Sequence, residues 1–271
     1  MDNRPIGVFD SGLGGLTAVR ELKDVMPNED IIYLGDTGRV PYGSRSKETI
    51  IKYARQDIAF LQSFDIKAVV AACGTVSAAA LPEITDDYAI SIYGVVDASA
   101  RKAVEVTRNG RVGLIGTEAS IKSGAYEKKM MKLAPEIKIF GKACPLFVPL
   151  VENGRVSVGD IVVESVAREY LDELKNLDID TLVLGCTHYP LLSDVIGQFM
   201  GPDVTLICPG SEVAKHVSRR LDEEGMLSER EEIGQHRYFV TDAVNGFSQM
   251  ASLYLEEDVR GSVIQVSLDG F

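Results

Sequence analysis

Length, composition and charge narrow the class of protein that this sequence can encode. The 271 residues are 45% hydrophobic and 25% charged, which is typical of a soluble globular chain with a sizeable buried core. Forty acidic and 28 basic side chains give a formal net charge of −12. This balance argues against a general nucleic-acid binder, which neutralises phosphates with Lys and Arg. We therefore expect no nucleic-acid partner.

The N-terminal segment and the cysteines bear on where the protein acts. Met1 to Pro5 lead into a short apolar run, without the basic segment and long apolar stretch of a signal peptide. No apolar run in the sequence approaches the roughly 18 residues of a membrane span. Four scattered cysteines are too few for a disulfide scaffold and indicate reduced thiols. The sequence thus predicts a cytoplasmic protein with no membrane partner.

Short, β-branched apolar runs alternate with longer amphipathic segments along almost the whole chain. Such runs are typical of strands that are buried on both faces of a parallel sheet. Strands that alternate with helices predict an α/β, doubly wound fold. In chain order the predicted strands are 6–9, 31–34, 68–72, 90–94, 112–116, 137–140, 181–184, 204–207 and 238–240.

Several of the intervening helices have recognisable ends. Ser, Asp and Thr are good residues for the start of a helix, and Gly commonly follows its C-terminus. The predicted helices begin after Ser46, at Asp97 and after Thr117; the second ends at Asn109–Gly110, and a further helix-like run covers 75–81.

An approximate internal duplication relates two parts of the chain. Residues 7–11 match 113–117 at an offset of 106, and two later matches, 40–42 with 148–150 and 72–75 with 185–187, follow at offsets of 108 and 113. Three matches in the same order predict two similar, pseudo-symmetric α/β domains with the active site in the cleft between them. We assign residues 1–96 plus 210–271 to the first domain and residues 97–209 to the second.

Two cysteines occupy equivalent places in this duplication. Cys73 follows the strand 68–72, Cys186 follows the strand 181–184, and each precedes a helix-like run. Ligands bind at this edge of open α/β sheets, and a helix N-terminus should lower the pKa of each thiol below about 8.5. The ordinary alternative is a pair of inert buried cysteines. Equivalent positions in a duplicated fold favour the functional interpretation.

Two thiols on opposite sides of a cleft can act on opposite faces of one carbon atom. One sulfur removes a proton as a thiolate and the other returns a proton as a thiol, which inverts a stereocentre. The two titrations should be coupled. Cys73 and Cys186 are therefore candidate acid/base groups for proton transfer at carbon.

The residues near these strand ends leave several interpretations open. Asp10 could orient an ammonium group, modulate a thiol or only cap the following helix. The glycine-rich segment 12–15 could hold a small carboxylate or form a tight turn, and its spacing does not match a nucleotide-binding loop. His188 could share proton transfer with Cys186. A Cys-x-His pair is short of the three or four ligands of a zinc site, so we predict no metal.

As a set, these motifs resemble the glutamate racemase family. The segments that carry the resemblance run in order over about residues 6–210: Asp10–Thr17, Tyr33–Thr37, Val40–Gly43, Ala71–Cys73, Thr117 with Lys122–Tyr126, Cys144–Glu152 and Gly185–Leu192. The resemblance implies a cofactor-independent isomerase that interconverts L- and D-glutamate and supplies D-glutamate for peptidoglycan precursors. It also implies a homodimer.

The same resemblance implies roles for single residues. Cys73 and Cys186 match the two catalytic thiols, and Asp10, Glu152 and His188 match residues that assist them. The positions that match substrate-binding residues are Asp10, Ser11, Tyr42, Gly43, Gly74, Thr75, Thr117, Thr187 and His188. Gly74 departs from the family pattern, which usually has Asn at this position, so it offers a substrate only its backbone.

Three other functions stay open on the sequence alone. An aspartate racemase of the same superfamily would use equivalent cysteines on a shorter acid. A non-catalytic module would close two α/β halves around a small acid, with the cysteines merely packed. A cysteine hydrolase would pair Cys186 with His188. Racemisation of glutamate is the function that we expect.

Overall fold

The computed structural model describes residues 2–259 and 261–271, and it confirms an α/β fold with two parallel sheets. The strands are β1 (Ile6–Asp10), β2 (Ile31–Gly35), β3 (Ala68–Ala71), β4 (Ser91–Gly94), β5 (Arg111–Gly116), β6 (Lys138–Ala143), β7 (Thr181–Leu184), β8 (Thr205–Ile207), β9 (His236–Val240) and β10 (Val263–Gln265). One sheet has six strands in the order β10-β9-β2-β1-β3-β4, and the other has four in the order β6-β5-β7-β8.

Helices connect the strands of both sheets. They are α1 (Leu16–Val25), α2 (Lys47–Gln62), α3 (Gly74–Ala79), α4 (Leu81–Ile84), α5 (Val95–Val106), α6 (Glu118–Ser123), α7 (Ala125–Leu133), α8 (Phe147–Glu152), α9 (Ile161–Lys175), α10 (Ser193–Met200), α11 (Pro209–Glu223) and α12 (Val244–Leu255). Short 3-10 helices cover Tyr42–Ser44, Thr85–Asp87 and Tyr189–Leu192. Within the described ranges, none of the helices is long and apolar enough to cross a membrane.

The nine predicted strands are confirmed, with ends that differ by three residues at most. Their apolar runs are explained by burial on both faces: in β1, Val8 packs in the core beside α1 and α11, whereas its neighbour Phe9 packs beside α2. Strand β10 was not predicted. It has only three residues and lies at the edge of the six-stranded sheet, where Ile264 and Gln265 are exposed.

The predicted helix starts at Ser46 and Thr117 are confirmed. Ser46 Oγ accepts the Thr49 N–H at 3.3 Å, and Thr117 Oγ1 accepts the Ser120 N–H at 3.2 Å, so both residues are N-caps. The helix-like run 75–81 is two short helices, α3 and α4, because Pro82 at the start of α4 lacks the N–H needed to continue α3.

The bounds predicted for the helix 97–109 are wrong. Helix α5 begins two residues earlier, at Val95, and ends three residues earlier, at Val106. Asp97 lies within the first turn, where its negative charge interacts favourably with the helix dipole. The chain leaves the helix early because Asp180 accepts the backbone N–H groups of Arg108 and Asn109 at 2.6 and 2.7 Å.

Parallel pairing brings the carboxyl ends of the strands of each sheet to one edge. In the six-stranded sheet Phe9 pairs with Leu34 and Ala71, so the segments after β1, β2 and β3 are neighbours. In the four-stranded sheet Ile115 pairs with Lys142 and Leu184, so the segments after β5, β6 and β7 are neighbours. The predicted site residues lie in these segments.

Candidate active site

Cys73 lies at the carboxyl end of β3 and is the N-cap residue of α3. Its Sγ atom lies 3.5 Å from Ser11 Oγ, and the side chain is buried. Burial, and after it the charge of Asp10, raises the pKa of Cys73 to about 12. The expectation that the helix N-terminus lowers this pKa is therefore wrong for Cys73, because the loss of hydration outweighs the helix dipole.

Asp10 is fully buried beside the first cysteine. Its Oδ2 atom accepts the Gly12 N–H at 3.0 Å, whereas Oδ1 has no hydrogen-bond partner among the described residues. Burial raises the pKa of this carboxyl group. Of the interpretations left open for Asp10, helix capping does not apply, since the N-cap of α1 is Gly15.

Cys186 lies in the loop between β7 and the 3-10 helix Tyr189–Leu192. We expected a helix directly after this cysteine, and the structure instead has this short 3-10 helix three residues later. Its Sγ atom lies 3.8 Å from His188 Nδ1, and His188 Nε2 lies 3.0 Å from Glu152 Oε1. Burial alone would lower the pKa of His188, but the contacts with Cys186 and Glu152 outweigh it and raise the pKa to about 10. At neutral pH His188 is therefore an imidazolium that donates to both partners.

The loops that carry the two cysteines contact each other. A Cβ atom placed on Gly74 would lie 3.7 Å from Cys186 Cα and within 3.0 Å of the backbone oxygen of Gly185. Beside this contact, the hydroxyl oxygens of Thr75 and Thr117 are 3.0 Å apart. The structure thus brings together the segments after β3, β5 and β7, which come from different sheets.

The glycine-rich segment 12–15 packs against the loop of the second cysteine. A Cβ atom on Gly14 would lie 2.7 Å from His188 Nδ1 and would also collide with Thr187 Oγ1. In addition, Thr17 Oγ1 lies 3.2 Å from the backbone oxygen of Thr187, to which it donates. This segment of bends and turns therefore packs directly against the second cysteine loop.

Two predicted substrate-binding residues, Tyr42 and Gly43, follow β2 in a 3-10 helix. The Tyr42 hydroxyl bonds with the buried carboxylates of Asp36 and Asp57 rather than with a cysteine loop. Gly43 packs against Thr117, since a Cβ atom there would lie 2.8 Å from Thr117 Cβ. What Tyr42 can offer a ligand is therefore its backbone.

Sequence reasoning missed the charged cluster behind Tyr42. Arg39 donates to Asp36 Oδ2 at 2.6 Å and to Asp57 Oδ1 at 3.1 Å. Burial, and then the neighbouring Asp36, raises the pKa of Asp57 well above its usual range. Asp36 directly follows a strand, and this position could have identified it as a candidate site residue from the sequence. Asp57 gave none, because a carboxylate within the amphipathic helix α2 is ordinarily exposed.

Two buried tyrosines at the site were also missed. The Tyr126 ring packs under the second cysteine loop, where a Cβ atom on Gly185 would lie 3.5 Å from it. The Tyr254 ring stands edge-on to His188, with ring centroids 6.1 Å apart. Neither hydroxyl has a hydrogen-bond partner among the described residues. Tyr126 belongs to a motif noted in the sequence, whereas nothing in the sequence linked Tyr254 to His188.

The site is nearly closed to solvent. Cys73 and Cys186 are only 4% and 7% exposed. A cavity of about 870 Å³ between α3–α4 and α6–α7 is lined by none of the site residues predicted above. Among the described residues there is also no group of three or more His, Cys, Asp or Glu side chains that could hold a metal ion.

The chain has two sheets of parallel strands, each with connecting helices, and the strand ends of both sheets meet around a pair of buried cysteines. This arrangement defines the two-domain racemase fold. The chain belongs to the Asp/Glu/hydantoin racemase family, whose model matches residues 17–217. Racemases are isomerases, so the family match identifies an enzyme of this class. Together with the relatives described next, it confirms the resemblance seen in the sequence.

Individual relatives agree with this assignment over nearly the whole chain. The sequence is 46% identical over 266 residues to a glutamate racemase of Geobacter metallireducens, covering 98% of this chain and 97% of the relative. The fold is similar to the crystal structure of glutamate racemase isoform RacE1 from Bacillus anthracis, with a TM-score of 0.94, 39% identity and 99% of each chain covered. A glutamate racemase from Francisella tularensis, solved in complex with D-glutamate, superposes with a TM-score of 0.92 at 39% identity over 100% of both chains.

Proposed function

We propose that this chain interconverts L- and D-glutamate, with Cys73 and Cys186 as the two acid/base groups and without a cofactor. The observation that carries the proposal is the contact between the two cysteine loops, in which Gly74 meets Gly185. Loops that meet from separate sheets can place their two thiols on opposite sides of one carbon atom. The names of the relatives, and the D-glutamate bound to the Francisella tularensis structure, support glutamate as the substrate.

The reaction needs only proton transfer at the α-carbon. One cysteine, as thiolate, takes the α-proton; the C–H bond breaks, its electron pair stays on the α-carbon, and an S–H bond forms. The other cysteine, as thiol, gives its proton to the opposite face, and its sulfur becomes the thiolate. The reverse direction exchanges the roles, so each turnover leaves the pair in the opposite protonation state.

The surroundings of the two sulfurs suit these roles. The high pKa of Cys73 keeps this thiol protonated at neutral pH. On the other side, the His188 imidazolium next to Cys186 can stabilise a negative charge on sulfur, and Glu152 holds the imidazole in place. The unpartnered Oδ1 of Asp10 suits an ammonium group. We propose Asp10, Ser11, Tyr42, Gly43, Gly74, Thr75, Thr117, Thr187 and His188 as the substrate-binding residues.

The remaining proposals concern organisation and cellular role. We propose that residues 1–96 plus 210–271 form one domain and residues 97–209 the other, which the membership of β9 and β10 in the six-stranded sheet supports. By similarity to the family, we further propose a homodimer that acts in the cytoplasm and supplies D-glutamate for peptidoglycan synthesis. Four free cysteines suit a reducing compartment.

The test is racemisation of L- and D-glutamate in deuterated buffer by protein freed of metals and cofactors, followed by circular dichroism and by deuterium at the α-carbon. Wild type should lose optical activity from either enantiomer, whereas Cys73→Ala and Cys186→Ala should each abolish turnover. Cys208→Ala, a cysteine outside the site, is the matched control and should keep full activity. Full activity of both active-site variants, or faster turnover of aspartate than of glutamate, would overturn the proposal.

A further inference from the structure

Asp57 is a carboxyl group on the face of α2 that otherwise packs in the core. Ile50, Ala54 and Leu61 are buried on this face, and together with Asp57 they follow one another at spacings of three and four residues. Asp57 itself is fully buried. A leucine would fit this face without the cost of burying a polar group, so packing alone does not explain the carboxyl group.

The hydrogen bonds around Tyr42 show where this carboxyl group is needed. The Tyr42 hydroxyl bonds with Asp36 Oδ2 and lies 3.1 Å from Asp57 Oδ2, but it has only one hydrogen to donate. Asp36 also accepts from Arg39 at 2.6 Å and from Thr241 at 2.8 Å, which suits an ionised carboxylate. The second bond of Tyr42 therefore needs a proton on Asp57, in agreement with the raised pKa of this group.

The Tyr42 side chain connects Asp57 with the cleft. Its hydroxyl points away from the cysteine loops, whereas the next residue, Gly43, packs against Thr117 of the segment after β5. Tyr42 and Gly43 belong to the proposed substrate-binding set. The hydrogen-bond partners of Asp57 are Tyr42 and Arg39. Asp57 can thus influence a bound substrate only through the segment that carries Tyr42.

We propose that Asp57, as a neutral acid that donates to the Tyr42 hydroxyl, is a positioning residue for the Tyr42–Gly43 backbone that binds the substrate. This inference rests on the proposed function. Without this donor the Tyr42 hydroxyl keeps one bond instead of two, and the substrate has to order the backbone as it binds. The loss of one hydrogen bond weakens binding by about fivefold. A loss shared by bound substrate and transition state raises KM and leaves kcat unchanged.

The experiment measures kcat and KM for glutamate racemisation in Asp57→Leu and Asp57→Asn. Leucine fits the apolar face but cannot donate, so KM should rise about fivefold while kcat stays within about twofold. Asparagine keeps a donor for Tyr42 and an acceptor for Arg39, as the neutral acid does, so both constants should stay within about twofold of wild type. Asp180→Leu is the matched control, because Asp180 is a buried acid at the opposite, amino end of β7. It should lower stability and leave KM unchanged.

A second substitution tests whether Asp57 acts through Tyr42. Tyr42→Phe removes the hydroxyl and should raise KM at least as much as Asp57→Leu does. In the Tyr42→Phe background, Asp57→Leu should add less than about twofold, because the hydroxyl that Asp57 holds is already absent. A purely structural role of Asp57 would give the same increase in both backgrounds and would overturn the inference.

Each other outcome also has a defined meaning. An unchanged KM in Asp57→Leu, a loss confined to kcat, an equal defect in Asp57→Asn, or a similar rise of KM in Asp180→Leu overturns the positioning role and leaves the proposed function intact. Lack of racemisation by wild type overturns the proposed function, and the inference with it. If Asp57→Leu does not fold, as judged by circular dichroism, Tyr42→Phe takes its place with the same expected rise of KM. Failure of both to fold would assign these residues to stability and overturn the inference.

Discussion

The imidazole of His188 lies 3.0 Å from the carboxylate of Glu152, although 36 positions separate the two residues in the chain. Glu152 ends α8, and His188 follows β7, so the pair joins two segments at the edge of the four-stranded sheet. The opposite nitrogen of His188 faces Cys186. A partly exposed carboxylate thus controls the proton on a buried imidazole next to a thiol.

Replacement of Glu152 by Gln should change the pH dependence of racemisation. The carboxylate contributes to the raised pKa of His188, about 10, so its removal should lower that pKa toward the ordinary 6.5. The fall of kcat on the alkaline side should then begin at lower pH than in wild type. Profiles of kcat against pH check this, with the exposed Glu136→Gln as the control. An unchanged profile in Glu152→Gln would contradict a role of this pair in holding the proton.

His188 should also make stability pH-dependent. Its pKa is about 10 in the folded protein and about 6.5 when unfolded, so the folded state binds the proton more tightly. The resulting stabilisation is fully present below pH 6.5 and is lost as the pH rises through 10. We expect the Tm difference between wild type and His188→Asn to shrink between these pH values. A difference that stays constant over this range would be evidence against the raised pKa.

The bond between Thr75 and Thr117 should couple the two sheets energetically. Thr75 follows β3 of the six-stranded sheet, and Thr117 follows β5 of the four-stranded sheet. Their hydroxyl oxygens are 3.0 Å apart. A double-mutant cycle with Thr75→Val and Thr117→Val, followed by urea unfolding, should give a coupling energy of about 0.5–1.5 kcal/mol. Thr117→Val also removes the N-cap of α6, but it does so in both backgrounds of the cycle, so this loss cancels from the coupling energy. Thr75→Ser, which keeps the hydroxyl, should retain most of the coupling, and a coupling near zero would show that the bond adds nothing.

The buried pair of Lys67 and Glu29 should be important for stability rather than catalysis. Lys67 Nζ lies 2.5 Å from Glu29 and also donates to two backbone oxygens, and neither side chain is more than 2% exposed. Lys67→Met should lower the free energy of unfolding by about 3–5 kcal/mol, because it leaves the Glu29 charge buried and unpaired.

The exposed pair of Lys47 and Glu83 provides the matched control for that measurement. The two side chains are each 52% exposed and 2.6 Å apart. Lys47→Met should cost less than about 1 kcal/mol, since solvent screens exposed ion pairs. Guanidinium unfolding of both variants makes the comparison, and similar losses in the two would contradict the distinction between buried and exposed pairs.

The fold and the places of Cys73 and Cys186 at the ends of strands could be predicted because their signals are local. Apolar runs such as 6–9 and 181–184 are buried on both faces, so each strand is visible in its own few residues. Cys73 and Cys186 were found from their places after strands in matching segments. Strand β10 was not predicted because it has only three residues, of which Ile264 and Gln265 are exposed, too few for a recognisable pattern.

The tertiary structure alone decided what surrounds the two sulfurs. Tyr254 against His188 and Gly74 against Gly185 are contacts between segments far apart in the chain, and no local pattern encodes them. The raised pKa of Cys73 likewise depends on burial, which a sequence does not display. The sequence by itself therefore determined which helices and strands form, because these depend on residues that are close together in the chain. It also determined that the two cysteines follow the ends of strands. The contact between the two cysteine loops and the raised pKa of Cys73 were decided by packing between the two sheets.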